Sequence, residues 1–283
     1  MDHRTYSGDE GSAAAMPSAV SDVWHPPGFA AMMRQDVSAL ARPSDRFFFR
    51  LFAAVACYQV KAIHGLRNIV EARDPFILAL NHTTFREFAT VPAILMVLRG
   101  GRYIHFLADW KLQPVPGIGF MMRRGKVISI TRKNAWPNWV NYLKRFYEGP
   151  LPPFAQARAY LESGASIGIF PEGDSHRNGK TLLRGRNGCA RLSLQTGAPV
   201  LPAGIRFPKA DPDKPIGENE PMEVYIGEPL IPVRTPNPTL AEVRAWHRVI
   251  MGEISHLCGK PVAPSLATPS PIGEPGLAGG GAT

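Results

Sequence analysis

Strand-like and helical runs alternate along most of the 283-residue chain, and this predicts an α/β fold. The expected form is a single domain with a largely parallel central sheet and helices on both faces. Short apolar runs bounded by Gly, Pro or Asp read as strands, and the longer amphipathic stretches between them read as helices. Hydrophobic residues make up 45% of the sequence, enough to build one core.

The elements follow in order. A helix is expected over about 28–41, then an apolar segment at 45–57. "YQVKAI" (58–63) reads as a strand ended by His64-Gly65, and "FILAL" (76–80) as a buried strand after Asp74-Pro75. A helix over about 84–98 is stopped by Gly100-Gly101. "YIHFLA" (103–108) and "KVISI" (126–130) are strands. "PFAQARAYLESG" (153–164) is a helix with Pro near its start and Gly just past its end. The strand "SIGIF" (166–170), the helix 188–197, the strands "PVLPAGI" (199–205) and "MEVYIG" (222–227), and a last helix over about 239–257 complete the domain. Residues 1–22, small and polar, and the Pro/Gly/Ala-rich stretch 259–283 are expected to be disordered. Residues 23–58 form an N-terminal helical segment and 59–258 the main domain.

The net charge of +9 suits an anionic partner: nucleic acid, a phosphorylated cofactor or an acidic bilayer. No nucleic-acid fingerprint accompanies it. Cys57, Cys189 and Cys258 are far apart and in no Cys-x-x-Cys pattern, so reduced thiols are expected, with no disulfide frame. The N-terminus has no apolar core of the signal-peptide kind. No run reaches the ~20 apolar residues that span a bilayer. "FFFRLFAAVACYQV" (47–60), interrupted by Arg50 and flanked by Arg46 and Lys61, is either a buried helix or one lying in a membrane interface with its arginines at the headgroups.

In open α/β sheets the site lies beyond the strands' carboxyl ends. Asn81-His82 follows one predicted strand and Pro171-Glu172-Gly173 another, so both can line one crevice. Thr84-Phe85-Arg86-Glu87 matches a capping box, in which Glu87 serves a helix start and His82 is only a loop residue. The alternative is that the chain curls until Glu87 accepts from one imidazole nitrogen of His82. The other nitrogen is then a base for a substrate hydroxyl.

Asn81-His82-x4-Glu87 resembles the NHx4D block of the glycerolipid acyltransferase family, the lysophosphatidate acyltransferases among them. "RRGKVISITR" (123–132), "FPEGDSHRNG" (170–179) and "GAPVLPAGI" (197–205) resemble its other three blocks, in the same order. "GLRNI" (65–69) and "KLQPVPGIG" (111–119) are similar to its connecting segments, and the likeness covers about 60–230. The resemblance implies an acyltransferase domain over 59–258 with His82 and Glu87 catalytic. It implies acceptor or phosphate contacts from Arg132, Glu172, Gly173, Arg177 and Lys111, supported by Asn81, Phe170, Pro171 and Pro202. It also implies acyl-CoA or acyl carrier protein as co-substrate, no bound cofactor or metal, and a lipid acceptor such as 1-acylglycerol-3-phosphate. The expected location is cytoplasmic, peripheral to the inner face of the cell membrane. Two positions depart from the family pattern: Glu stands at 87 where Asp is usual, and Ser175 stands where an Arg is usual, the nearest being Arg177. The second opens a glycolipid or amino-lipid acceptor as an alternative. A non-catalytic basic membrane-binding protein is the alternative of another class.

No acid occurs from Ser175 to Ala210 or from Trp110 to Tyr147, so basic charge is concentrated beside the blocks. Arg suits bidentate phosphate contact. Within 134–154, Trp136, Trp139, Tyr142, Phe146 and Tyr147 interleave with Lys144 and Arg145. That pattern fits either a membrane-facing or acyl-covering flap, or a partly buried helix. Cys189 lacks a partner His for a covalent mechanism.

Overall fold

The computed structural model describes residues 23–131, 134–211 and 213–263. The chain folds as a single α/β domain around one eight-stranded sheet. Its strands are β1 (Val23–Trp24), β2 (Val60–His64), β3 (Ile77–Leu80), β4 (Ile104–Asp109), β5 (Ile128–Ile130), β6 (Ser166–Ile169), β7 (Val200–Arg206) and β8 (Met222–Ile226). Their spatial order is β1-β2-β8-β7-β3-β6-β4-β5. Five neighbours, β7 through β5, run parallel. β8 is antiparallel to β7, β2 is parallel to β8, and β1 is antiparallel to β2.

The parallel strands are apolar on both faces because helices cover both. Leu78 and Leu80 of β3 join one core, with Phe49 and Ala53 of α2 (Pro43–Ala56) and Ile94 of α4 (Glu87–Leu98). Ile77 and Ala79, pointing the other way, join a second core. There they meet Leu161 of α6 (Pro153–Glu162), Leu192 of α7 (Gly188–Thr196) and Ile254 of α8 (Leu240–Cys258). Short helices α1 (Phe29–Met33), α3 (Leu66–Val70) and α5 (Ile118–Arg124) complete the set.

All seven sequence-predicted strands correspond to β2 through β8. β1 was not foreseen, because two residues on a sheet edge carry no periodic signal. The helix expected over 28–41 shrinks to α1. Asp36 accepts from the backbone N–H of Ser38 at 3.0 Å, an Asx turn that competes with helical bonding. Ala39 N–H then donates to Gly100 O and not back along a helix. The stretch 134–154 is only half-buried, with Tyr147 stacked on the buried Trp110 at 6.2 Å. It opens with 3₁₀ turns over Asn138–Phe146 in which no residue is buried. The expected disorder from 259 begins too early, since Lys260 is buried and Pro261 bonds to Leu182. Residues 1–22 and 264–283 lie outside the described residues.

Two positions near the crevice restrict the residue type. A Cβ on Gly168 of β6 would sit 2.4 Å from the Phe106 ring of β4. Pro202 in β7 gives its carbonyl to Gly227 N–H at 2.9 Å. Its missing N–H therefore faces the end of β8 and not β3, which explains a proline inside a central strand.

Candidate active site

The carboxyl ends of β3, β6 and β7 lie side by side, and two side chains and one backbone bond stitch the loops leaving them. Asn81, fully buried after β3, accepts from Ile205 N–H at 2.6 Å and donates to Ile205 O at 3.2 Å. This ties the His82 loop to β7. Glu172, in the loop after β6, accepts from His82 N–H at 2.7 Å with one oxygen and from Leu183 N–H at 2.7 Å with the other. His176 N–H donates to the His82 carbonyl at 3.0 Å. The backbone of His82 is thus gripped on both sides by the loop that follows β6.

The imidazole is equally constrained. Nδ1 lies 2.9 Å from Glu87 Oε1. The ring stacks on Phe170, centroids 4.4 Å apart and planes 28° from parallel, and Phe170 in turn packs on Phe106 at 5.6 Å. The His82 side chain is 18% exposed and that of Glu87 is 0% exposed. With Nδ1 committed to Glu87, Nε2 is the nitrogen left for a substrate.

Glu87 does more than hold the histidine. The same Oε1 accepts from the backbone N–H groups of Thr83 and of Thr84, the latter at 2.9 Å. The capping-box geometry is therefore half present. Glu87 bonds back to Thr84 N–H, but α4 begins at Glu87 itself and Thr84 Oγ1 is buried without a hydrogen-bond partner among the described residues. One carboxylate serves both the turn and the imidazole. Burial raises the Glu87 carboxyl above the usual range, and the bonds from His82, Thr83 and Thr84 oppose that rise. Burial raises Glu172 as well, opposed by its backbone bonds and by the charges of His82 and Lys260.

The remaining residues surround this centre. Gly173 sits at φ 72° in the turn after Pro171, where a Cβ would meet the Arg186 side chain at 2.7 Å. Arg177 is half-exposed; its Nε donates to Ile216 O at 2.7 Å and its Nη2 lies 3.9 Å from Glu218. Lys111 follows β4 and pairs with Asp109 at 3.2 Å. Arg132 lies outside the described residues. Although residues 175–210 are acid-free in sequence, the fold brings Glu218 against Arg177 and Asp213 against Lys180 at 2.8 Å. Glu218 also accepts from Phe85 N–H at 3.1 Å, at the start of α4. Glu218 and Lys260 were not singled out from the sequence, because no local pattern marks either. Cys189 is buried, and burial pushes its thiol up to about 12, so it is inert as a nucleophile. Among the described residues no cluster of His, Cys, Asp and Glu is arranged to hold a metal ion.

A family model described as Acyltransferase matches residues 61–206, which is 146 of the 283 residues and spans β2 through β7. The chain belongs to the acyltransferase family. Within the matched span lie His82, Glu87, Phe170 and Glu172. The chain is also 26% identical over 163 residues to the chloroplastic 1-acyl-sn-glycerol-3-phosphate acyltransferase LPAT1 of Arabidopsis thaliana. That match covers 57% of this chain and 40% of the relative, so the chain spans less than half of the relative's length. Among solved structures it is similar to the 1-acyl-sn-glycerophosphate (LPA) acyltransferase PlsC of Thermotoga maritima. There the identity is 19% and the TM-score 0.49, over 78% of this chain and 85% of the other.

An apolar pocket opens two rings away from His82. Phe106, which packs on Phe170, lines it with Phe49 and Phe52 of α2, Phe88 and Met96 of α4, and Met121 of α5. Outside it, α2 exposes Phe47, Leu51, Val55 and, just past its end, Tyr58. Trp136 (92% exposed), Trp139, Tyr142 and Phe146 are exposed as well. Among the described residues no helix is long and apolar enough to cross a membrane.

Proposed function

We propose that this chain transfers a fatty acyl group from an acyl thioester, acyl-CoA or acyl carrier protein, to a hydroxyl of a lysophospholipid such as 1-acylglycerol-3-phosphate. The observation that carries the reading is the 2.9 Å contact between His82 Nδ1 and a fully buried Glu87, in a loop held by Glu172. His82 Nε2 takes the hydroxyl proton as the oxygen attacks the thioester carbonyl. The new C–O bond forms, the C–S bond breaks, and the departing thiolate takes the proton back from the imidazolium. Glu87 fixes the tautomer and balances the imidazolium charge. The pocket beyond Phe170 and Phe106 suits the acyl chain, which is apolar along its length. Arg177, Lys111 and Arg132 are the proposed acceptor-phosphate contacts, with Gly173 letting backbone approach the ligand.

Glu218 beside Arg177 favours a second reading of the acceptor, because an acid within 3.9 Å weakens a phosphate site. A glycolipid or amino-lipid hydroxyl fits that surface. The deciding experiment offers the purified chain each thioester donor with lysophosphatidate, a glycolipid and an amino-lipid, and measures esterified product. Transfer to lysophosphatidate with little to the others supports the first reading. Absence of transfer from either donor to any acceptor refutes both.

The exposed aromatics and the outer stripe of α2 suit peripheral docking on an anionic bilayer, with Arg46, Arg50, Lys144 and Arg145 at headgroup level. Replacing Trp136, Trp139 and Tyr142 together by serine is expected to lower partition into phosphatidylglycerol vesicles by roughly tenfold or more. Co-sedimentation measures this, and unchanged binding removes the segment from the membrane contact.

A further inference from the structure

Behind the His82–Glu87 pair lies a charge that the proposed proton transfer does not use. α8 ends with Gly259 in the left-handed conformation at φ 71°. The N–H groups of Gly259 and Lys260 both donate to Ser255 O, at 2.9 and 3.2 Å. Ser255 Oγ donates to Lys260 O at 2.8 Å, locking the turn. The next residues run against the segment that Glu172 holds. Leu182 N–H donates to Pro261 O, and Ala263 N–H to Leu182 O, both at 2.9 Å. The adjacent Leu183 N–H is the one bonded by Glu172.

This strap leaves Lys260 only 8% exposed. Its side chain passes the Phe207 ring, 5.8 Å from the centroid, and Nζ donates to Thr83 Oγ1 at 3.4 Å. Thr83 N–H in turn donates to Glu87. A buried ammonium is costly unless opposite charge lies close. Burial lowers Lys260 below the usual lysine range, and the nearby Glu87 and Glu172 oppose that fall. The Lys260 charge in turn lowers Glu172, and Glu87 Oε2 is buried with no hydrogen-bond partner among the described residues. The titratable and charged groups around Lys260 are Glu87 from α4, Glu172 from the loop after β6, His82 between them, Cys258 at the end of α8, and Arg206 of β7. Burial holds the Cys258 thiol neutral, and Arg206 is occupied by Leu257 O at 2.6 Å.

We propose that Lys260 is a positioning residue for the His82 base: its ammonium balances Glu87 and Glu172 from behind the loop, so that a charged carboxylate stays on His82 Nδ1. At rest Lys260 is the buried cation behind Glu87 and Glu172, and when His82 takes the substrate proton a second positive charge faces the same carboxyls. The inference rests on the acyl-transfer reading for its consequence, but not for its test.

The test uses the full chain without substrate, labelled with ¹³C at the glutamate carboxyls and titrated by NMR. In Lys260→Met, Glu87 and Glu172 are expected to titrate at higher pH than in the wild type, and in Lys260→Arg to return toward it. Lys260→Gln, which keeps a donor for Thr83 without the charge, is expected to behave as Lys260→Met does. If only Lys260→Gln folds, it alone decides. Carboxyl titrations unchanged in a folded Lys260→Met or Lys260→Gln overturn the proposal. In parallel, the acid limb of kcat/KM is expected to move to higher pH in the uncharged variants, with a roughly tenfold loss along it and recovery in Lys260→Arg. Shifted carboxyls in a chain that transfers no acyl group would sink the functional reading and leave the charge balance standing.

Discussion

Replacing His82 with alanine is expected to lower kcat/KM for acyl transfer by roughly 10²–10⁴ while leaving the fold in place. The size follows from the role: without the imidazole, nothing at hydrogen-bond distance from the hydroxyl takes its proton as the oxygen attacks. The fold survives because the loop is held by backbone bonds that the substitution does not touch, Glu172 to His82 N–H and His176 N–H to the His82 carbonyl. Vesicle binding is expected to be unaffected, since the exposed aromatics at 136–146 and the outer stripe of α2 are separate from the loop. Transfer of a labelled acyl group, thermal melting and vesicle co-sedimentation measure the three quantities. A His82→Ala chain with wild-type transfer would end the proposed mechanism. A chain that loses only vesicle binding would favour a non-catalytic membrane-binding protein.

The second large effect is at Glu87, where activity and stability are expected to separate by substitution. Glu87→Ala removes the acceptor shared by His82 Nδ1, Thr83 N–H and Thr84 N–H, inside a buried site. Leaving those donors unpaired is expected to destabilise the domain by about 2–4 kcal/mol, read as a shift in the urea midpoint. Glu87→Gln keeps an acceptor oxygen but loses the charge, so its stability loss is smaller while its activity loss stays close to that of His82→Ala. Residues that act as a unit are not additive, so the His82→Ala, Glu87→Gln double variant is expected to be little worse than either single. Glu87→Asp, one methylene shorter, cannot reach all three donors from the same backbone position and should retain partial activity. The pH dependence carries a matching sign. Burial raises the Glu87 carboxyl, so lowering the pH protonates it sooner than an exposed glutamate and removes the charge that holds the imidazolium. Activity is therefore lost on the acid side. Wild-type kcat/KM in Glu87→Gln would show that the carboxylate acts only on the turn.

Much of the fold was readable because its cues are local. "FILAL" and "SIGIF" are short apolar runs between breakers, and they became β3 and β6, buried on both faces. The last helix, expected over about 239–257, became α8, which the structure shows to start at a Thr239–Glu242 capping box and to end at Gly259. The stretch at 28–41 was misread because Asp36 turns the chain through one side-chain bond that composition does not reveal. The tail was cut too early for a similar reason. Lys260 heads a Pro/Gly-rich run, and its burial depends on Thr83, 177 positions away in the chain.

The sequence by itself determined the strand and helix order, the acyltransferase blocks, and the spacing that lets Glu87 reach back over the His82 turn. It left open whether Glu87 caps that turn or holds the imidazole, and the tertiary structure answers that one oxygen does both. Only the tertiary structure decided that the carboxylate is buried, that Phe170 braces the ring, that Glu218 faces Arg177, and that Lys260 stands behind the pair. The physical reason is range. Periodicity, caps and turns are set by residues within a few positions of one another. Burial and charge balance are set by whichever distant segments the sheet order brings together, and those segments carry no mark of it in their own sequence.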